Sequence, residues 1–208
     1  MPFPMFPLGM VLLPGAVLPL HVFEPRYRQL VQDCLAGEPE FGVVLIERGS
    51  EVGGGDVRRS VATVARLVEV GEMTDGRFAL VTVGTRRIRV REWLADDPYP
   101  RARVEDWPDA PCRDEQGLER KLGPLVNALR RVLALHAELG GEGAPATVEV
   151  TEDPILATYH LAALAPLGPV DMYRVLEAEG PEARVDLLRV LLDDLEEMLR
   201  FRLAPPSR

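Results

Sequence analysis

FPMFPLG at residues 3–9 and PGAVLPLHVFEPRY at residues 14–27 are the two segments that most constrain the fold of this chain. Both are apolar runs interrupted by prolines, which makes them too rich in proline for a long helix and too apolar for a solvated tail. The second segment leads into Pro25, and proline suits the first turn of a helix, while Gly37 suits its end. We therefore predict two short extended segments followed by a helix from Pro25 to about Ala36.

The next part of the chain has the pattern of strands. Residues 41–47 form a short apolar run typical of a buried strand, and residues 49–56 form a glycine-rich loop. Two β-rich runs, 61–70 and 77–83, then meet at Asp75-Gly76. Asp-Gly between such runs predicts a β-hairpin, because glycine tolerates the positive φ of a primed turn.

Two further turns are predicted before the pattern changes. They lie at Gly84-Thr85 and at Asp96-Asp97-Pro98. The first turn would begin a strand at residues 86–93, in which charged and apolar residues alternate as in a half-exposed strand. The second would begin another strand at residues 99–107.

The second half of the chain changes to a helical period. Apolar residues spaced three or four apart from Leu118 to Leu139 form one helical stripe. A helix is predicted from Pro154 to Ala165 with Asp153 as its N-cap, because an aspartate at this position accepts hydrogen bonds from the first free amides.

Two more helices complete this half, a short one capped by Asp171 and a last one from Pro181 to about Leu203. Strands followed by helices predict an α+β fold with segregated elements. We expect a β-rich subdomain with one helix at residues 1–108 and an α-helical subdomain at residues 109–208.

Composition and charge narrow the class of function. The 208 residues are 47% hydrophobic and 27% charged, a composition typical of a globular protein. The net charge of −9 is unfavourable for binding a phosphate backbone. The two cysteines, Cys34 and Cys112, lie too far apart in sequence to suggest a disulfide framework. No run approaches the roughly 20 apolar residues of a membrane span, and the N-terminus lacks the basic region of a signal peptide. We expect a cytoplasmic protein.

Four segments carry a family resemblance through their order and spacing. They are Phe6-Pro7-Leu8 with Leu13-Pro14-Gly15, Leu18-Pro19-Leu20 with Phe23-Glu24-Pro25-Arg26-Tyr27, Val64-Ala65-Arg66-Leu67 before Asp75-Gly76, and Val83-Gly84-Thr85-Arg86-Arg87-Ile88. Together they resemble the N-terminal, substrate-binding domain of the bacterial Lon protease family (peptidase S16). The helical tail from Asp153-Pro154 to Leu167 is similar to the bundle that follows in that family.

The resemblance implies a small PUA-like β-barrel-type subdomain followed by a helical bundle, with a binding role and no reaction. The chain has no Gly-x-x-x-x-Gly-Lys-Ser/Thr motif, since its only lysine, Lys121, precedes Leu122-Gly123. Its three serines, Ser50, Ser60 and Ser207, lie in no Lon-like protease context. We therefore expect the recognition part alone, without the ATPase and peptidase domains.

An apolar set near the N-terminus is the first candidate polypeptide-binding surface. Methionine and phenylalanine suit an adaptable apolar surface for peptides. The set is Phe3, Met5, Phe6, Met10 and Leu12. The alternative, that these residues are ordinary core, stays open.

A row of arginines is the second candidate. Arg87, Arg89 and Arg91 are two residues apart, so they share one face of a strand, and Arg101 and Arg103 repeat the spacing on the next strand. If the two strands pair, five guanidinium groups line one face and could bind an acidic polypeptide or nucleic acid. Alternatively, the face contacts the acidic helical half or solvent. Carboxylates expected nearby are Glu69, Glu92 and Glu105.

No catalytic, metal or cofactor site is predicted. The histidines, His21, His136 and His160, are scattered, and His136 on an apolar helix stripe fits a core or interface position better than a ligand. The Gly53-Gly54-Gly55 run lacks the strand-then-helix context of a phosphate loop. The acidic run Asp193, Asp194, Glu196 and Glu197 favours a solvated helix face, because adjacent helix residues point apart.

The leading hypothesis is a non-catalytic polypeptide-binding module that recognises unfolded or apolar protein segments in proteolysis or protein quality control. A protease acting in trans would be a further partner. The alternative is a PUA-like RNA or nucleotide-binding protein, which the acidic charge disfavours. No membrane partner is expected, and self-association through the helical part stays open.

Overall fold

The computed structural model describes residues 2–51 and 55–204, so residues 52–54 of the predicted glycine-rich loop and Ser207 lie outside the described residues. The chain divides into two compact units, Met1–Pro108 and Asp109–Arg208. The described residues form six strands and five helices, and the predicted α+β class is confirmed. Their bounds are β1 Phe3–Leu8, β2 Val17–Val22, α1 Pro25–Ala36, β3 Glu40–Arg48, β4 Val57–Glu72, β5 Phe78–Trp93, β6 Arg101–Asp106, α2 Glu115–Glu138, α3 Pro154–Leu164, α4 Pro169–Glu177 and α5 Pro181–Leu203.

The strands of the first unit form a nearly closed barrel with an extension. Strands β5, β4, β3, β1 and β6 form a ring, because β6 pairs with both β1 and β5. The β1–β3 pair is parallel and the other pairs are antiparallel. Strand β2 lies outside the ring, and within the described part of the chain its one strand partner is residues 78–83 of β5. We call the part of the sheet that extends past the ring the wing; it consists of β2, residues 78–83 of β5 and residues 66–72 of β4.

Two apolar clusters lie on opposite sides of this sheet. Every ring strand contributes to the cluster inside the ring, which consists of Met5, Val44, Ala62, Val64, Ile88, Val90 and Ala102. The other cluster lies between the sheet and α1, where the ring of Phe6 stacks on that of Tyr27 with centroids 4.1 Å apart. Successive strand residues point to opposite sides, which explains why Met5 and Phe6 belong to different clusters.

The predicted turn at Gly84-Thr85 is wrong, because β5 runs through it without a break. Gly84 instead receives a second chain segment: its amide donates to the Ala16 carbonyl at 2.9 Å, and its carbonyl accepts from the Gly15 amide at 2.8 Å. A Cβ atom at Gly84 would overlap the Leu13 carbonyl oxygen. Glycine is therefore required here for a close backbone approach, and not for a turn.

Local signals elsewhere in this unit predicted the structure correctly. Helix α1 has the predicted bounds, Pro25 to Ala36. The hairpin at Asp75-Gly76 is also confirmed, with Gly76 at a φ of 76°. Strand β6 begins at Arg101, two residues later than predicted, and the preceding Tyr99 is buried and donates its hydroxyl to Asp33 at 2.7 Å.

The helices of the second unit begin at recognisable caps, with one correction. The Asp153 carboxylate accepts from the amides of Ile155 and Leu156, both at 2.9 Å, so its predicted capping role is confirmed. The predicted cap at Asp171 is wrong. Helix α4 starts earlier, at Pro169, because proline is preorganised for a first helical position. Asp171 lies in the first turn and pairs with Arg174 at 2.9 Å.

The acidic run on α5 is solvated only in part. Asp193, Asp194 and Glu197 are exposed, but Glu196 is only 5% exposed, so the prediction of a solvated face is wrong at this residue. Two hydrogen bonds from Arg131, at 2.9 and 3.0 Å, explain how a buried carboxylate is tolerated. They hold the pKa of Glu196 below its ordinary value.

A fully buried arginine organises the other side of the helical unit. Arg184 has no exposed surface and forms an ion pair with Asp109, the first residue of this unit. It also donates to the Thr158 hydroxyl at 2.7 Å, and its guanidinium lies 3.5 Å from the centroid of the Tyr159 ring. The Tyr159 hydroxyl donates to Asp109 at 2.9 Å. The charge is thus surrounded by partners, as a buried guanidinium requires.

Candidate functional site

The arginines of the predicted row mainly contact neighbouring side chains of the same unit. Arg87 is only 3% exposed, and the guanidinium groups of Arg87 and Arg89 each lie 4.2 Å from the centroid of the Trp107 ring. The Trp107 amide donates to the Arg87 carbonyl at 3.0 Å, which fixes the indole beside the strand. These two arginines therefore hold a tryptophan through cation–π contacts.

The remaining arginines of the row face carboxylates. The predicted pairing of β5 with β6 is confirmed, and a bulge at Arg91 places Glu92 opposite Arg103. Arg91 forms an ion pair with Glu105, and Arg103 with Glu92 at 3.3 Å. Of the expected partners, Glu69 lies elsewhere, opposite Val81. The face is thus a mixed-charge surface, which is a poor match for a phosphate backbone.

The apolar N-terminal set does not form one surface. Met5, Phe6 and Leu12 are buried, Phe3 is half-buried, and Met10 is 48% exposed. Met5 lies inside the ring and Phe6 lies under α1, on the opposite side of the same strand. The structure therefore brings Phe6, and not the whole set, to the site described next.

The sequence interpretation missed a surface on the wing. A bulge between Gly84 and Arg87 changes which side of the sheet the β5 residues face. Before the bulge, the side chains of Ala79, Val81 and Val83 point to the same side of the sheet that faces the ring interior in the other strands. At these three residues, no described strand closes the ring over that side. The register places Val17, Pro19 and His21 of β2 beside them. We call this side of the wing the open face.

The open face is apolar and contains a depression. Val17 is 63% exposed, and Ala79, Val81 and Val83 are half-buried. A cavity of about 410 Å³ lies over the wing, and its walls include Pro19, His21, Glu69 and Val81. Gly71 and Ala79 lie opposite each other in the register, and their small size leaves the space between these walls. We call this the open-face cavity.

The outer edge of β2 has backbone groups without a strand partner. Pro19 lacks an amide hydrogen, so its antiparallel pair with Val81 cannot be a hydrogen-bonded pair. The hydrogen-bonded pairs must then be those of Leu18, Leu20 and Val22. The backbone groups of Val17, Pro19 and His21 point away from β5, and no described residue forms a backbone hydrogen bond with them.

A second, smaller cavity lies along the same edge on the other side of β2. Its volume is about 130 Å³, and its walls include Phe6, Leu8, Val22 and Tyr27. Burial raises the pKa of Tyr27 to about 12, so its hydroxyl stays neutral at physiological pH, and Glu24 and Glu51 also line the cavity. Leu20 and His21 border both cavities. We call this the edge cavity.

One signal in the sequence could have revealed the open face. The run Phe78-Ala79-Leu80-Val81-Thr82-Val83 has apolar residues at odd and even positions, with Thr82 as its one polar residue. A strand with one solvated face normally alternates apolar and polar residues, so a doubly apolar strand implies that both faces are covered or bind something. Here only the even positions are buried.

The helical unit carries a groove between α2 and α5. Its volume is about 400 Å³, and its apolar floor includes Leu125, Ala128 and Val185. Its rim pairs opposite charges, as in the 2.7 Å ion pair of Lys121 with Asp186. Within residues 2–51 and 55–204, no cluster of histidine, cysteine, aspartate and glutamate could hold a metal ion. The helices of these ranges include none that is long and apolar enough to span a membrane.

Comparisons with known proteins identify what this arrangement is similar to. Residues 2–194 match the family model of the ATP-dependent protease La (LON) substrate-binding domain. The chain is 33% identical to Lon protease 2 of Sorangium cellulosum over 206 residues, which cover 96% of the chain and 25% of that protein. It is 32% identical to the Lon protease of Anaeromyxobacter dehalogenans, covering 95% of the chain and 24% of that protein.

A solved structure agrees with these matches. The Lon N-terminal domain protein from Xanthomonas campestris superposes with a TM-score of 0.63 at 30% identity, covering 91% of this chain and 98% of that one. The chain thus spans about a quarter of the length of the curated relatives it matches, and nearly all of this domain structure.

Proposed function

The chain belongs to the LON substrate-binding domain family, and from this membership we propose that it binds extended apolar segments of other polypeptides and catalyses no reaction itself. The observation that carries the proposal is the open face of the wing. It exposes apolar side chains of two neighbouring strands next to a cavity, and no described element of the first unit covers it.

The chemistry of the open face fits an unfolded polypeptide as ligand. Unfolded chains expose the apolar side chains that native proteins bury, and burial of such groups is the main favourable term in association. The open face consists of only three residue pairs, Val17 with Val83, Pro19 with Val81 and His21 with Ala79. A stable interface uses roughly 20–30 residues a side, so binding is expected to be weak and transient. Weak binding suits a module that samples many segments.

The residues predicted from the sequence have different parts in this proposal. Phe6 lines the edge cavity and contacts ligand side chains there. Phe3, Met10, Arg89 and Arg91 reach the surface and would provide secondary contacts, the two arginines least of all, because Trp107 and Glu105 already hold them. Met5, Leu12 and Arg87 are buried and support the surface from behind.

We also propose that this binding serves proteolysis in protein quality control. The curated relatives above are named Lon proteases, and the matched part of each is about a quarter of the protein. Segments held on the open face would be delivered to a proteolytic machine. A pull-down from extract, with the Val17→Asp variant in parallel, tests this: wild-type should retain a protease and unfolded proteins, and the variant should lose the unfolded proteins.

The direct test of polypeptide binding uses a matched pair of variants. Val17 on the open face and Val170 on α4 are equally exposed, at 63% and 65%, so an aspartate at either position should leave the fold intact. A reduced, carboxymethylated and fluorescently labelled unfolded protein is titrated with each variant. Val17→Asp should weaken binding by about tenfold, since a buried charge in a small apolar interface costs roughly 1–2 kcal/mol. Val170→Asp should bind like wild-type.

Two outcomes would overturn the proposal. One is an absence of saturable binding by the wild-type protein. The other is equal weakening by both variants, which would mean that any added negative charge repels the ligand.

A further inference from the structure

We propose that the bound polypeptide segment adds to the wing as a further β-strand, along the outer edge of β2. The proposal rests on the proposed function and specifies how that site works. The occupant is an extended polypeptide backbone, because the unpaired groups at this edge are peptide donors and acceptors spaced along a strand.

The backbone of β2 presents an incomplete ladder to this occupant. The groups that point outward belong to Val17, Pro19 and His21, as the register requires. Val17 and His21 offer both an amide and a carbonyl, while Pro19 offers only a carbonyl. Val17 and His21 are four residue steps apart, about 13 Å along a strand, so a segment of about five to seven residues spans the edge.

The two cavities lie where an added strand would place its side chains. Successive side chains of a strand point to opposite sides of the sheet. On one side they would meet the open-face cavity, with Pro19, His21 and Val81 in its wall. On the other side they would meet the edge cavity, with Phe6 and Tyr27 in its wall. Backbone hydrogen bonds with pockets for alternate side chains are the arrangement of strand-addition sites.

Pro19 limits what this edge can bind. A complete edge of donors and acceptors pairs with any exposed strand, including a second copy of itself, and proline is one of the devices that reduces such pairing. Pro19 removes one donor from the middle of the edge and leaves the two flanking positions intact. The edge therefore binds short segments reversibly and is a poor template for longer sheets.

The first experiment scans the backbone of the ligand. The probe is an eight-residue peptide of alternating valine and threonine with terminal lysines and a fluorescent label. It is made in versions that carry one N-methyl group at each successive position. N-methylation removes a donor, so methyl groups facing β2 should weaken binding at least tenfold, and those at the intervening positions should have little effect. A flat profile, or one without a period of two, would overturn strand addition.

The second experiment changes the edge of the protein with variants that keep or remove one amide. His21→Pro removes an outward donor, and His21→Ala keeps it while losing the same side chain, so only the former should weaken binding of the peptide, by about fivefold or more. Pro19→Val restores the missing donor and should tighten binding several-fold. Thermal unfolding checks that each variant is folded; if His21→Pro is not, the comparison of Pro19→Val with wild-type and the N-methyl scan decide the question.

The outcomes separate the two proposals. If Val17→Asp weakens polypeptide binding but the N-methyl profile is flat and Pro19→Val binds like wild-type, the open face binds side chains alone and strand addition is wrong. If neither the unfolded protein nor the peptide binds to wild-type, the proposed function itself fails.

Discussion

The two halves of β5 belong to one strand of sixteen residues but differ in what their side chains contact. In the second half, residues 86–93, apolar side chains lie inside the ring and charged side chains contact partners on its outer side. In the first half, residues 78–83 lie in the wing, with one apolar face under α1 and the other open. The half with the more conspicuous sequence pattern, the arginine row, is the half whose side chains are already satisfied.

The comparison shows that the composition of a strand face does not tell whether the face is available. Arg91 and Arg103 look like a binding surface until the neighbouring strand supplies Glu105 and Glu92. Val81 and Val83 look like core residues in the sequence, but they lie outside the ring and their side of the sheet is open. Availability depends on what the neighbouring strands place opposite each residue.

The largest effect is expected at the junction of the two halves. Gly84→Val should destabilise the protein by about 3 kcal/mol, because the new side chain overlaps the Leu13 carbonyl and displaces the segment that leads into β2. Urea unfolding measures this. Gly71→Ala is the control: its Cβ would meet the Ala79 carbonyl at an ordinary 3.7 Å, so it should cost less than about 1 kcal/mol. Equal losses in both variants would mean that the junction has no special role.

A smaller effect is expected in the charged half, at the residue that is buried there. Arg87→Ala should lower the free energy of unfolding by about 2 kcal/mol, because it removes a cation–π contact with Trp107 and buried side-chain packing. Arg87→Lys should recover less than half, since an ammonium group cannot stack as a planar guanidinium does. A loss below about 0.5 kcal/mol in urea unfolding of Arg87→Ala would place Arg87 among ordinary surface arginines.

Stability should also depend on pH through Glu40 of β3, whose carboxylate pairs with Arg86 of the charged half. Burial alone would raise the pKa of Glu40, but hydrogen bonds from Arg86 and Arg66, both at 2.8 Å, outweigh it and hold that pKa below its ordinary value. A lowered pKa in the folded state stabilises the protein above the unfolded pKa of about 4.3, and this stabilisation is lost as the pH falls. Glu40→Gln should therefore cost about 1 kcal/mol at pH 7, and this cost should shrink as the pH falls below about 4.3.

The control for this pH dependence is Glu38→Gln, two residues away and exposed. Chemical unfolding at several pH values should give parallel curves for wild-type and Glu38→Gln, and a converging curve for Glu40→Gln. A constant difference between wild-type and Glu40→Gln across the pH range would contradict the assignment.

The smallest effect is expected at the exposed ion pairs. Arg91→Ala should change the free energy of unfolding by no more than about 0.5 kcal/mol, because both Arg91 and Glu105 are largely solvated and water screens the pair. The remaining difference should shrink further at high salt. A loss as large as that of Arg87→Ala would show that the whole arginine row acts as one structural unit.

Features with local causes were predictable from the sequence. The bounds of α1 follow from Pro25 and Gly37, the hairpin from Asp75-Gly76, and the start of α3 from Asp153, because each depends on groups within a few residues. The order of strands followed by helices predicted the α+β class, and the structure confirms it.

Features that depend on distant partners were not predictable. Gly84 resembles a turn residue because the approach of Leu13 is invisible in the sequence. Glu196 resembles a solvated carboxylate because Arg131 lies 65 residues away. The open face was missed for a related reason: the pattern of residues 78–83 shows that both sides are apolar, but not which side α1 covers.

The pairing of Arg184 with Asp109 has a consequence for dividing the chain into fragments. The first helix of the second unit begins at Glu115, so a boundary chosen from secondary structure alone would fall after Asp109. A fragment that starts there would enclose a guanidinium group with its carboxylate removed, at a cost of roughly 3–5 kcal/mol. A fragment that starts at Asp109 keeps the pair. The N-terminal limit of this unit is thus set by Asp109, the carboxylate partner of a buried guanidinium group, which lies several residues before the first helix.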